Sequence, residues 1–167
     1  SGFDVEANFT GLPTAFLARR GTGPLHLAVC AEYDALPGMG HACGHNVIAA
    51  ISTGAAVALA PYVDDLGITL SVFGTPAEEG HTGKEYMARA EALEGIDAAI
   101  MVHGYNYDLA DQVWLGRRTL RVTYRGRTAH ASAEPFMGRN ALDAASLLYQ
   151  GLGLLRQQMI PVDRVHA

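Results

Sequence analysis

Apolar residues fall along the chain in short runs broken by glycine and proline, and these runs predict alternating strands and helices. Residues 14–18 (TAFLA) and 25–31 (LHLAVCA) are apolar runs separated by Gly21-Thr22-Gly23-Pro24, the pattern of a strand pair. The second run is apolar enough to sit centrally in its sheet. From Glu32 to Gly44 the chain changes to loop chemistry, with Pro37, Gly38 and Gly40. A helix is expected to start near Asn46, a good N-cap, and to run through residues 47–60 until Pro61 ends it. Residues 68–74 (ITLSVFG) predict a further strand, 84–92 a helix, and 98–102 a strand leading into His103. This order predicts an α/β layer with a largely parallel sheet.

At about Trp114 the pattern changes. Residues 119–124 (TLRVTY) alternate apolar and polar with period two, as a half-exposed strand does. Over residues 140–159, Leu142, Ala145, Tyr149, Leu152, Leu155 and Met159 recur at helical spacing. Gly151 and Gly153 weaken that helix by about 1 kcal/mol each relative to alanine, so packing must support it. A strand, a loop and one amphipathic helix do not close a core. Residues 1–115 are therefore expected to form one domain, and 116–167 the first half of another.

Composition narrows the function. A length of 167 residues suits one medium domain, or one domain and part of another. Such a chain buries about two-thirds of its unfolded surface and needs no disulfide scaffold. With 12 basic and 17 acidic residues the formal net charge is −5, which argues against nucleic acid as the partner. No apolar run approaches the ~20 residues of a membrane span, and residues 1–24 show no signal-peptide pattern. Two cysteines, Cys30 and Cys43, point to a reducing compartment, hence the cytoplasm. Among the seven histidines, His41, His45, His81, His103 and His130 crowd into one stretch.

Three clusters of reactive side chains follow expected strands, where α/β folds place their sites. The first is His41-Ala42-Cys43-Gly44-His45-Asn46. A thiolate and an imidazole flanking a glycine can point at one cation, and the adjacent helix N-terminus favours an ionised Cys43. The second is Glu78-Glu79, expected on an extended segment whose adjacent carboxylates point different ways. The third is His103. Singly, each has an ordinary reading: an incidental Cys-x-His, a solvated acidic pair, a hydrogen-bonded strand-end histidine. Together they supply the Cys, His and Glu set suited to zinc or a similar ion. Metal-assisted hydrolysis also needs a base that is not itself a ligand, and adjacent carboxylates can divide those duties. Asp34, in Glu32-Tyr33-Asp34-Ala35-Leu36-Pro37, is placed to orient a ligand histidine, or simply to start the turn.

The motifs AEYDALPG, HACGHN, GTPAEEG and MVHG, in that order, resemble metallopeptidase family 20, the dinuclear metallo-amidohydrolases. That family includes aminoacylases, hippurate hydrolase and indole-acetyl-amino-acid hydrolases. Asn46 after His45 is most similar to the aminobenzoyl-glutamate hydrolase and β-alanyl-lysine dipeptidase branch. The resemblance implies a zinc-peptidase-like mixed sheet with flanking helices, followed by the start of a smaller α+β, ferredoxin-like lid and dimerisation domain. It implies Cys43, His45, Glu79 and His103 as metal ligands and Glu78 as general base. It places His130, in Gly126-Arg127-Thr128-Ala129-His130-Ala131, as an oxyanion-stabilising catalytic residue reaching a partner subunit's site. Gly138 and Asn140 match positions that hold the substrate carboxylate. The implied cofactors are two divalent ions, zinc or else manganese or cobalt. The implied substrate is an N-acyl amino acid or dipeptide with a free carboxylate.

The chain departs from the family at Gly80-His81-Thr82-Gly83, where members often carry a glycine run. The family's fifth ligand, a late histidine, has no match before Ala167, so the sequence is expected to be an internal fragment with four of five ligands. Two rivals remain: a metal-binding chain without catalysis, and a Cys43 nucleophile with His45 as its base. The second leaves Glu78-Glu79 without a task.

Overall fold

The run from Ile68 to Thr75 is buried at every position, and in the computed structural model, which describes residues 1–167, it forms the middle of the sheet. Both faces of this strand are covered although Thr69, Ser71 and Thr75 are polar, and Thr69 Oγ1 donates to Gly23 O and Thr75 Oγ1 to Ala31 O. The chain divides into two compact units, Ser1–Asp108 and Leu109–Ala167.

In the first unit the strands are β1 (Asp4–Ala7), β2 (Phe16–Arg20), β3 (Leu25–Glu32), β4 (Ile68–Thr75) and β5 (Ala98–Ile100). The helices are α1 (His45–Leu59), α2 (Glu78–His81) and α3 (Gly83–Arg89). The sheet order is β1-β2-β4-β3-β5, with β3 parallel to β4 and β5 but β2 antiparallel to β1 and β4. The α/β mixed sheet with flanking helices is as expected.

Several local expectations are corrected. Residues 14–18 and 25–31 give strands but not a pair, because β4 lies between β2 and β3. The turn joining them instead packs on the start of β4: Gly23 N–H donates to Ile68 O, and a Cβ on Gly23 would lie 2.0 Å from the Gly67 carbonyl carbon. The sheet is mixed rather than largely parallel. Helix α1 starts at His45 with Gly44 as its N-cap at φ 82°, a left-handed conformation that glycine adopts without strain, so Asn46 lies within the first turn.

Two apolar clusters cover the two faces of the sheet. Val63, Ile68, Leu70 and Val72 pack with Ala56 of α1, while Leu17, Ala28 and Phe73 pack with Met87 of α3. Ser52 Oγ of α1 donates to Cys30 O of β3 at 2.7 Å, which pins the helix to the strand. Strand β3 connects to β4 on one side, and β5 then adds on its other side. That reversal leaves a crevice beyond the carboxyl ends of the parallel strands, the usual ligand position in α/β sheets.

The second unit contains α4 (Ala141–Leu155) and short 3₁₀ turns at Pro135–Met137 and Arg156–Gln158. Residues 119–124 form no strand: their alternation finds no partner edge, and Arg127 pairs only with Arg139 in an isolated bridge. No residue of this unit is buried. In neither unit is any helix long and apolar enough to cross a membrane.

Candidate metal centre

The crevice is built from the segments that leave β3, β4 and β5. Glu32 ends β3 level with Thr75 of β4, so Asp34 emerges beside the turn that carries Glu78 and Glu79. These two open the short helix α2 rather than lying on an extended segment. Their side chains still reach the same point, because Glu78 Oε2 and Glu79 Oε1 each lie 3.9 Å from His45 Nε2. They differ in exposure: the Glu78 side chain is 44% exposed and that of Glu79 19%. Ala77 enters α2 at φ 59° and Thr82 leaves it at φ 55°. Left-handed backbone costs a residue with a Cβ about 1–2 kcal/mol, so the acidic pair stands on a strained turn.

His45 is the centre of the arrangement and is 1% exposed. Its Nδ1–H donates to Asp34 Oδ1 at 3.0 Å and Asp34 O at 3.1 Å. That leaves Nε2 as a bare lone pair in the neutral ring, facing Glu32 Oε2 at 3.3 Å as well as the Glu78 and Glu79 oxygens. Nε2 and Glu32 Oε2 are buried and have no hydrogen-bond partner. A lone pair held against carboxylate oxygens in a desolvated site is repulsive until a cation or proton lies between them.

The neighbouring donors favour a metal ion. Cys43 Sγ lies 3.5 Å from His103 Nε2. Two such ligands on one tetrahedral zinc, with bonds of about 2.3 and 2.0–2.1 Å, are about 3.5 Å apart. Cys43, His45 and His103 form one group whose donor atoms lie within 4.8 Å of one another, and His45, Glu78 and Glu79 form another. The residues present therefore fit divalent-ion binding in either group, and the single free lone pair of His45 Nε2, common to both, serves one ion. The structure brings together all six sequence-expected residues of the first unit: Cys43, His45, Glu78, Glu79 and His103, with Asp34 behind them.

Charge follows from these neighbours. Partial burial pushes the Asp34 carboxyl up, but the Glu79 amide, the His45 ring and further amides outweigh it and hold the group below its ordinary value. Burial raises the Cys43 thiol, and Glu79, Glu78 and Glu32 raise it further. The surrounding carboxylates thus oppose the ionised Cys43 that the adjacent helix N-terminus favours.

Three expected residues lie in the second unit. His130 is exposed, and Ser132 N–H donates to its Nδ1 at 3.3 Å, so the neutral ring carries its hydrogen on Nε2. Asn140 caps α4: its Oδ1 accepts from Leu142 N at 3.1 Å and its Nδ2 donates to Asp143 Oδ1 at 2.7 Å. Gly138 N–H donates to Pro135 O at 3.0 Å. Sequence reasoning passed over Glu32 and Lys84, which form an ion pair beneath His45. The available signal was a carboxylate closing an otherwise apolar central run.

The chain is similar to known proteins along most of its length. The model of peptidase family M20/M25/M40 matches residues 28–159. The chain is 42% identical to the Xaa-Arg dipeptidase of Mus musculus over 97% of its own length and 40% of that protein. It is 32% identical to one of the p-aminobenzoyl-glutamate hydrolase subunits of Escherichia coli over 99% of its length and 39% of that protein. It thus spans about two-fifths of these relatives. Among solved structures, a putative aminohydrolase from methicillin-resistant Staphylococcus aureus superposes with a TM-score of 0.65 at 26% identity, covering 98% of this chain and 50% of that one. A Bacillus subtilis protein described as a dinuclear metal-binding peptidase of the M20 family gives a TM-score of 0.52 at 26% identity, covering 58% and 32%.

Proposed function

The chain belongs to peptidase family M20/M25/M40, and from that premise we propose that the whole protein hydrolyses an amide bond in an N-acyl amino acid or dipeptide with a free carboxylate. The observation that carries this reading is the buried His45 Nε2, aimed with Cys43, Glu79 and His103 at space suited to cations. Residues 1–115 would form the metal-bearing catalytic domain and 116–167 part of a lid through which two copies pair. Free thiols at Cys30 and Cys43 suit the cytoplasm.

Cys43, His45, Glu79 and His103 would hold two divalent ions, zinc or else manganese or cobalt. Such ions supply Lewis-acid polarisation of the scissile carbonyl and a more acidic water. Glu78 is the more exposed of the acidic pair, which suits the base: it takes a proton from water and returns it to the leaving amine. Asp34 fixes the His45 tautomer and ring plane. His130, with its hydrogen on Nε2, would reach the site of a partner copy and donate to the oxyanion there, an interaction worth about 3 kcal/mol for a single donor in other hydrolases. The second Nδ2 hydrogen of Asn140 would meet the substrate carboxylate, with the Gly138 backbone beside it.

Glu78→Gln in the whole protein tests the assignment. Turnover of an N-acyl amino acid is expected to fall by about 10²–10⁴-fold with metal content unchanged. Retained turnover overturns the base role. Metal bound by the wild type without turnover of any amide favours the rival, a metal-binding protein without catalysis.

A further inference from the structure

Glu32 is a buried carboxylate that the chemistry above leaves without a task. It closes β3 and is 1% exposed, although its neighbours in the strand are mostly apolar. Lys84, in the first turn of α3, donates from Nζ to Oε1. The other oxygen, Oε2, has no hydrogen-bond partner and points at the ring of His45, 3.3 Å from Nε2.

An ion pair serving stability alone would engage both carboxylate oxygens, since an unsatisfied buried oxygen keeps its desolvation penalty. Here the satisfied oxygen faces the lysine and the unsatisfied one faces the candidate centre. Two N and O donors on one tetrahedral ion, each at about 2.0–2.2 Å, lie about 3.4 Å apart. Glu32 Oε2 and His45 Nε2 have that spacing, closer than the 3.9 Å from His45 to either Glu78 or Glu79.

We propose that Glu32 is a further carboxylate of the metal centre, its Oε2 contributing to the ion that His45 Nε2 holds. Lys84 is its positioning residue: it occupies Oε1, so Glu32 offers a single oxygen, and it offsets one charge of an acid-rich site. This inference rests on the metal-centre reading and deepens it.

The test uses the whole protein and zinc alone. Zinc affinity is measured by competition with a chromophoric chelator for the wild type, Glu32→Gln, Glu32→Asp and Lys84→Met. Cobalt(II) replaces zinc for visible spectra, whose intensity reports coordination number. Glu32→Gln is expected to hold its weaker-bound ion about 10–100-fold less tightly and to change the cobalt spectrum, with Glu32→Asp intermediate. Should Glu32→Gln fail to fold, Lys84→Met carries the test, because releasing Oε1 alters the cobalt spectrum. Wild-type affinity and spectrum in either folded variant, with only its melting temperature changed, overturns the proposal and leaves a structural ion pair. A wild type that binds no zinc overturns the metal-centre reading itself.

Discussion

Asp34 grips His45 twice, through a carboxylate oxygen 3.0 Å and a backbone oxygen 3.1 Å from the same Nδ1. The other carboxylate oxygen accepts the Glu79 amide hydrogen at 3.0 Å, so one side chain sets the direction of a histidine and of an acidic residue on separate segments. This explains why a partly exposed aspartate sits at the carboxyl end of β3. Asp34→Asn keeps one acceptor but loses the charge that polarises the ring. Metal affinity of the whole protein is expected to fall about 10–100-fold, measured by chelator competition. Unchanged affinity would mean that His45 is held by packing alone.

Metal removal should cost stability. Without a cation, His45 Nε2 faces three carboxylates within 3.9 Å in a desolvated site. An ion present at about 100 times its dissociation constant stabilises the folded state by about 2.7 kcal/mol. Dialysis against a chelator should therefore lower the melting temperature, and adding zinc back should restore it. A melting curve indifferent to chelation contradicts the account.

The turn before Glu78 should trade stability for position. Ala77 holds φ 59°, which glycine adopts freely. In Ala77→Gly the relieved strain exceeds the added freedom of the unfolded chain, so urea denaturation should show a gain of up to about 1 kcal/mol. The same freedom loosens the acidic pair, and kcat should fall. A loss of stability would show that Ala77 is not strained.

Much of the first unit was legible because strong patterns agreed with their surroundings. The strand expected at 68–74 became the doubly covered β4, and the motif residues Cys43, His45, Glu79 and His103 lie close together around the same crevice. The failures have physical causes. Strand β1 is exposed throughout, so Asp4-Val5-Glu6-Ala7 shows no apolar pattern to detect. The glycine turn at 21–24 reads as a hairpin, yet the more apolar β4 takes the place between its arms. Residues 119–124 have the alternation of a strand without an edge to pair with. Glu32 reads as the start of a loop, because only tertiary packing reveals that its carboxylate turns inward under Lys84 and His45.

Anomalous diffraction from crystals of the zinc-loaded whole protein, with data on both sides of the zinc edge, tests the central claim most directly. Two peaks about 3.5–4 Å apart are expected, within bonding distance of Cys43 Sγ, His45 Nε2, a Glu79 carboxylate oxygen and His103 Nε2. Zinc bound elsewhere, or no ordered peak among these residues, would contradict the account.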